Sequence, residues 1–227
     1  MKPTVLLFDI DGTLVTTGGC GRRAIERAFF EATGRSDAFS FPFDGMTDRA
    51  IVRRAFRAIG HDDSEAAIDA FLPHYVRTLE DEVAKAAIYR VHRGMERAID
   101  RGLSQPNVAV GLGTGNIREG ARVKLERVGL YSHFAFGGFG CDHEDRPTLI
   151  GVGARRGAEK LGVPLEECRV VVIGDTPKDV HAAQAIGAES IGVGTGSFGP
   201  AQLLACGATR AYAHLDEPGA IDWLFAA

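Results

Sequence analysis

Val5-Leu6-Leu7-Phe8 is an uninterrupted apolar run that stops at Asp9 and Asp11, two carboxylates spaced i, i+2 ahead of a Gly12-Thr13 turn. A run of this kind reads as a strand buried on both faces. Side chains at i and i+2 of a strand point the same way, so past the strand end both carboxylates can converge on a single ligand. Two carboxylates held together raise each other's pKa unless a cation sits between them, and the pairing suggests a hard, oxygen-seeking metal such as Mg²⁺. Taken alone, the same residues also read as an acidic strand end followed by a common Asp-Gly turn.

Two further apolar runs end on polar tips. Val108–Leu112 stops at Gly113-Thr114-Gly115-Asn116, and Val170–Ile173 stops at Gly174-Asp175. Around them the periodicity switches back and forth. It predicts helices over 94–102, 117–128, 151–161, 178–186 and 218–225, with a short one near 200–205. Further strands are expected at Phe134–Phe136, Ser190–Val193 and Ala211–Ala213, with a loop at Gly137–Pro147. Such alternation implies an α/β fold: a doubly wound, Rossmann-like parallel sheet covered by helices on both faces. Ligands bind such sheets at the carboxyl ends of the strands, where Asp9/Asp11, Thr114/Asn116 and Asp175 would meet.

Residues 20–87 follow another pattern. Ala24, Ile25, Ala28, Phe29 and Ala32 form one helical stripe and Ile51, Val52, Ala55, Phe56 and Ile59 a second, while a third helix runs from near Asp62 to Ala87 with a kink expected at Pro73. No strand is expected here. The chain thus divides into a core of residues 1–16 and 92–227 and an inserted all-helical segment, residues 17–91. The cluster Phe29, Phe30, Phe39, Phe41 and Phe43 is expected to form the interior of that segment.

Composition narrows the classes of function. A net charge of -4 gives no basic footprint, so nucleic acid is not an expected partner. No apolar run approaches the roughly 18–20 residues of a membrane span, and the apolar stretch at the N-terminus is too short for a secretory signal. Cys20, Cys141, Cys168 and Cys206 are scattered with no C-x-x-C pair, as in a reduced, cytoplasmic protein, and no two of the seven His are spaced like a zinc pair. Asp142-His143-Glu144-Asp145 reads as a solvated acidic loop.

Gly174-Asp175-Thr176-Pro177-Lys178-Asp179 adds two more acids at a strand end and in the first turn of a helix. Singly, Asp175 could be an N-cap and Asp179 a complement to the helix dipole. In order along the chain, however, the tips resemble a haloacid-dehalogenase superfamily hydrolase of the phosphatase branch, from Val5 to about Val193. Asp9-Ile10-Asp11-Gly12-Thr13 matches the first motif, Thr114-Gly115-Asn116 the second and Gly174–Asp179 the fourth. The third motif is normally a Lys, often followed by Pro; Arg146-Pro147 stands in its place, which keeps the positive charge. Lys160 and Lys124 are weaker candidates for the same role, since a solvated helix face explains both.

The resemblance implies that Asp9 is the nucleophile, forming an aspartyl-phosphate, and that Asp11 is the general acid and base. Mg²⁺ would be held by Asp9, the backbone carbonyl of Asp11 and Asp175. Thr114, Gly115, Asn116 and Arg146 would bind the phosphoryl oxygens, Thr13 would fix the loop, and Asp179 would orient metal-bound water or Arg146. The helical segment corresponds to a type-1 cap hinged at Thr16–Gly19 and Arg90–Gly94, with substrate choice expected from Arg22 and Arg23 near the hinge and from the Gly45–Arg49 turn, including Thr47, Asp48 and Arg49. The expected substrate is a small phosphorylated metabolite, a phosphoglycolate-like acid or a sugar phosphate, taken by a monomer or homodimer. A phosphomutase is a rival, but hexose phosphomutases of the superfamily tend to carry a His ten residues beyond the second Asp, where this chain has Gly21. A non-catalytic regulatory protein that retains the fold is a second rival; a carboxylate set costly to hold without metal argues against it.

Overall fold

The computed structural model describes residues 2–226. In chain order the elements are β1 (Thr4–Phe8), β2 (Val15–Thr16), α1 (Cys20–Thr33), α2 (Asp48–Ala58), α3 (Glu65–Lys85), β3 (Arg90–Val91), α4 (Met95–Leu103), β4 (Val108–Gly113), α5 (Arg118–Glu126), β5 (Gly137–Gly138), α6 (Arg146–Leu161), β6 (Arg169–Gly174), α7 (Pro177–Ala185), β7 (Glu189–Val193), α8 (Pro200–Ala205), β8 (Arg210–Tyr212) and α9 (Ala220–Leu224).

Six parallel strands form one sheet in the order β5-β4-β1-β6-β7-β8. The chain starts in the middle, builds outward to one side through β4 and β5, then returns to the other side through β6. Alternate residues of β1 supply two cores. Leu6 and Phe8 pack with Met95, Ile99, Leu125 and Leu224 of α4, α5 and α9, while Val5 and Leu7 pack with Leu149, Ala154 and Ala183 of α6 and α7. The doubly wound sheet expected from the apolar runs is therefore present, and β1 lies between β4 and β6, so all three polar tips share an edge.

Helices α1–α3 form a helical unit with its own interior, centred on Phe29, Phe56, Ile68, Tyr75 and Leu79. Thr47 and Ser64 cap α2 and α3 with their side chains, and α3 continues through Pro73. Phe29, Phe39 and Phe41 join that interior, but Phe30 faces solvent. The two connections to the sheet pair with each other as the antiparallel ribbon β2–β3, which the sequence pattern does not reveal.

Two boundaries differ from expectation. The strand expected at Phe134–Phe136 lies at Gly137–Gly138, because Phe134 and Phe136 turn into opposite cores and leave the glycines to approach β4. Helix α6 starts at Arg146 instead of 151, since Asp145 accepts the Thr148 N–H as N-cap and Pro147 fits the first turn. The acidic loop before it is not merely solvated: Asp142 is bonded to Arg156 and Glu144 to Arg53.

Candidate active site

Asp9 leaves the end of β1 buried, with its backbone N–H on the Ile173 carbonyl of β6. Asp175 follows β6, and Asp179 occupies the first turn of α7; one oxygen from each of the three carboxylates lies within 4.8 Å of the others. Arg146, at the start of α6, reaches the same place. Its Nη2 lies 3.1 Å from Asp9 Oδ1, and its Nε and Nη2 donate to Asp179 Oδ1 at 2.9 and 2.5 Å. The early start of α6 is what brings Arg146 here.

The three carboxylates are not equivalent. Asp179 Oδ1 is held by Arg146, and its Oδ2 accepts the Thr176 N–H and hydroxyl at 3.1 and 2.7 Å, closing a capping box on α7. Asp179 is thereby bonded on both oxygens. Asp175 Oδ1 accepts the Thr13 hydroxyl at 2.8 Å. Around its Oδ2 the wall is glycine: a Cβ at Gly12, whose φ is +79°, would lie 2.3 Å from that atom, and one at Gly196 only 1.8 Å.

Burial, reinforced by Asp179 and Asp9, pushes Asp175 well above the usual carboxylate range. Burial also raises Asp9, to about 6, against the opposing pull of Arg146. One guanidinium does not balance three buried carboxylates. An all-oxygen donor pair, Asp9 and Asp175, with a glycine-lined cradle and two uncompensated negative charges, fits a hard divalent cation.

Asp11, two residues on, faces away from this cluster. Its Oδ2 accepts the Lys124 ammonium at 2.6 Å and the Asn116 amide at 2.9 Å, and its Oδ1 accepts the Thr17 hydroxyl at 3.4 Å. Burial would raise it, but the Lys124 charge and these bonds outweigh burial and hold it below its ordinary value. Lys124 is 3% exposed and also donates to Asn116 Oδ1 at 2.6 Å. Reading it as a solvated helix residue is thus overturned. The available signal was its place in the apolar stripe of α5, three and four residues after buried Ala121 and Gly120.

Both carboxylates open on a cavity of about 520 Å³ between the sheet edge and the helical unit. Asp9, Asp11, Gly115, Asn116, Lys124 and Arg146 line its floor; Arg22, Phe43, Met46, Asp48, Ile51 and Tyr75 line its roof. Thr114 lies just behind, its hydroxyl oxygen accepting the Asn116 N–H and side-chain amide at 3.3 and 2.9 Å. The roof is seated through the turn before α2. Asp48 N–H donates to the Gly115 carbonyl at 2.9 Å, and Asp48 Oδ2 accepts the Ile117 N–H at 2.9 Å. A Cβ on Gly115 would lie 2.3 Å from the Met46 carbonyl oxygen, so only glycine permits this seat.

Of the roof residues expected from sequence, Arg22 and Asp48 face the cavity. Thr47 instead caps α2 and borders a smaller hollow behind Arg146, and Arg49 pairs with Asp69 and Glu65. Sequence reasoning did not single out Tyr75, whose hydroxyl donates to Asp48 Oδ1 at 3.4 Å.

The family model described as haloacid dehalogenase-like hydrolase matches residues 3–187, and the chain belongs to that family. No match was found among curated proteins. Among solved structures, CbbY from Rhodobacter sphaeroides, in complex with phosphate, is 20% identical over 100% of both chains with a TM-score of 0.76. A hydrolase from Pseudomonas syringae is 20% identical over 92% of each chain, with a TM-score of 0.66. A putative β-phosphoglucomutase from Thermotoga maritima is 22% identical over 98% of each chain, with a TM-score of 0.60. At these identities the likeness establishes the shared fold.

Proposed function

We propose that the protein is a Mg²⁺-dependent phosphatase that hydrolyses a small phosphorylated metabolite through an aspartyl-phosphate on Asp9. The observation that carries this reading is the setting of Asp9: one carboxylate at the floor of the cavity, between the Arg146 guanidinium and the Asp175 oxygens. Asp9 and Asp175 would hold the Mg²⁺, with the Asp11 backbone carbonyl. Bound there, Mg²⁺ supplies the positive charge that keeps Asp9 anionic and screens its approach to a phosphate.

The chain's own residues carry the rest. An Asp9 oxygen attacks phosphorus as the bond to the leaving oxygen breaks, and Asp11 delivers a proton to that oxygen. Asp11 then takes a proton from water, whose oxygen attacks phosphorus and releases Asp9 and inorganic phosphate. Asp11 rests as a carboxylate beside Lys124, ready for this second half. For the first half it carries a proton drawn from solvent, on Oδ1, whose bond to Thr17 is a long one. The Thr114 hydroxyl, with both described bonds accepted from Asn116, keeps its own O–H for a phosphoryl oxygen, and Arg146 and the Gly115 N–H supply further donors, while Asn116 holds Thr114 and Asp11 in place. Asp179 acts by holding Arg146 in place.

The helical unit serves as the cap that excludes water, with β2–β3 as its hinge ribbon. A phosphomutase reading is weaker, because Gly21 offers no side chain to carry protons within the cavity. Four free thiols suit a reducing, cytoplasmic setting, and among the described residues no helix is long and apolar enough to cross a membrane.

Phosphate release from a panel of phosphomonoesters, with Mg²⁺ and then with EDTA, tests the reading. Metal-dependent release concentrated on small acids or sugars is the expected result. No release from any member by the folded, Mg²⁺-supplied protein would refute it.

A further inference from the structure

The hydrolytic scheme above gives Lys124 no contact with substrate. We infer that Lys124 determines specificity by donating a hydrogen bond to an oxygen acceptor carried by the leaving group close to its ester oxygen. The inference rests on the phosphatase reading and adds a class of substrate to it: phosphomonoesters with a carboxylate, carbonyl or hydroxyl on the carbon next to the ester carbon.

Position comes first. Lys124 Nζ lies 2.6 Å from Asp11 Oδ2, the carboxylate that handles the leaving oxygen. Arg146, by contrast, sits on the Asp9 side, where the phosphoryl group reacts. The ammonium therefore borders the leaving group.

Its donors come next. An ammonium has three N–H groups. Asp11 and Asn116 Oδ1 accept two. Asp48, the nearby acid of the roof, takes its bonds from the Ile117 N–H and the Tyr75 hydroxyl. That leaves an N–H for an acceptor in the cavity, which Lys124 lines. Gly21 keeps the approach open: a Cβ there would stand 3.2 Å from Nζ.

Orientation of Asp11 does not by itself account for the lysine. The Asn116 amide already donates to Asp11 Oδ2 and the Thr17 hydroxyl to Oδ1. A buried ammonium is costly to place. What it adds to a neutral donor is charge and a spare N–H, both useful toward an anionic or oxygen-rich leaving group.

The test compares kcat/KM in Mg²⁺ for three two-carbon esters, namely 2-phosphoglycolate, 2-hydroxyethyl phosphate and ethyl phosphate, with p-nitrophenyl phosphate as reference. Wild type should prefer 2-phosphoglycolate over ethyl phosphate, with 2-hydroxyethyl phosphate between. Lys124→Met should shrink that preference by about 10- to 100-fold, the scale of a hydrogen bond to a charged group. A purely structural lysine would slow all three esters alike. Gly21→Ala keeps the ion pair and sets a methyl over the ammonium, so it should lower the same ratio in a protein whose folding does not depend on losing a charge.

An unchanged ratio in both variants, or no preference in wild type, overturns the inference. So does turnover of p-nitrophenyl phosphate with none of the three esters accepted. Failure to hydrolyse p-nitrophenyl phosphate as well would instead bring down the hydrolytic reading beneath it.

Discussion

At the floor of the cavity, Arg146 spans Asp9 and Asp179, Thr13 holds Asp175, and Asp179 is bonded through both oxygens. At the roof, Arg22 lies over the Phe43 ring and is tied to the Phe41 carbonyl, with 40% of its side chain still exposed, beside the apolar faces of Met46 and Ile51. The floor is a set of buried charges whose positions depend on one another. The roof is a mixed wall fastened to the sheet edge by a few bonds from one turn. A family can keep one reaction and change substrates when the two jobs are divided in this way, because a roof residue can vary without unbalancing a buried charge.

Asp9→Asn is the strongest attempt to break that division. It keeps the side-chain shape and removes the attacking oxygen. Turnover should fall by about 10³-fold or more, with the thermal midpoint no lower than wild type, since burial opposes the Asp9 charge. Phosphate release and a melting curve on the same sample check both halves. A variant retaining a tenth of wild-type turnover would remove Asp9 from its role.

Stability should separate the regions next. Arg146→Ala leaves Asp9 and Asp179 buried without their cation, a change expected to cost about 3–5 kcal/mol in urea unfolding. Arg22→Ala removes a half-exposed pair with Glu26, the bond to the Phe41 carbonyl and the contact with the Phe43 ring, and should cost about 1–2 kcal/mol. Equal losses would mean that the roof is as tightly determined as the floor.

The two regions were also unequally legible in the sequence. Buried parallel strands announce themselves as unbroken apolar runs, so β1, β4 and β6 could be read directly, and with them the tips bearing Asp9, Asp11, Thr114 and Asp175. The helices of the roof were legible from their stripes. Which of their polar residues turn inward was not, because that depends on how the turn before α2 seats on Gly115, a tertiary fact with no local pattern. Arg49 and Thr47 looked equivalent to Asp48 in sequence and face elsewhere. Lys124 was misread because a lysine on a helix is nearly always solvated. Arg146 was found from its place in the motif order and the Pro147 after it, although the Asp145-Arg146-Pro147 helix-start signal that aims it was overlooked.

Floor and roof also separate by pH. Asp9 and Asp48 are both raised to about 6, in each case chiefly by burial. Because the folded pKa lies above the unfolded one, each group's favourable contribution is complete below about pH 3.8 and is lost as pH rises through about 6. For Asp48, the rise from 3.8 to about 6 corresponds to about 3 kcal/mol. Metal-free protein should therefore lose stability between about pH 4 and 6. Mg²⁺ should remove the part due to the floor, since a cation on Asp9 and Asp175 favours their charged forms. The part due to Asp48 should survive Mg²⁺ and vanish in Asp48→Asn, whose amide oxygen can still accept the Ile117 N–H. Urea unfolding from pH 4 to 8, with and without Mg²⁺, for wild type and Asp48→Asn, separates the two contributions. If Mg²⁺ alone flattened the wild-type profile, the Asp48 charge would be costing nothing, and the roof would be as well compensated as a metal-loaded floor.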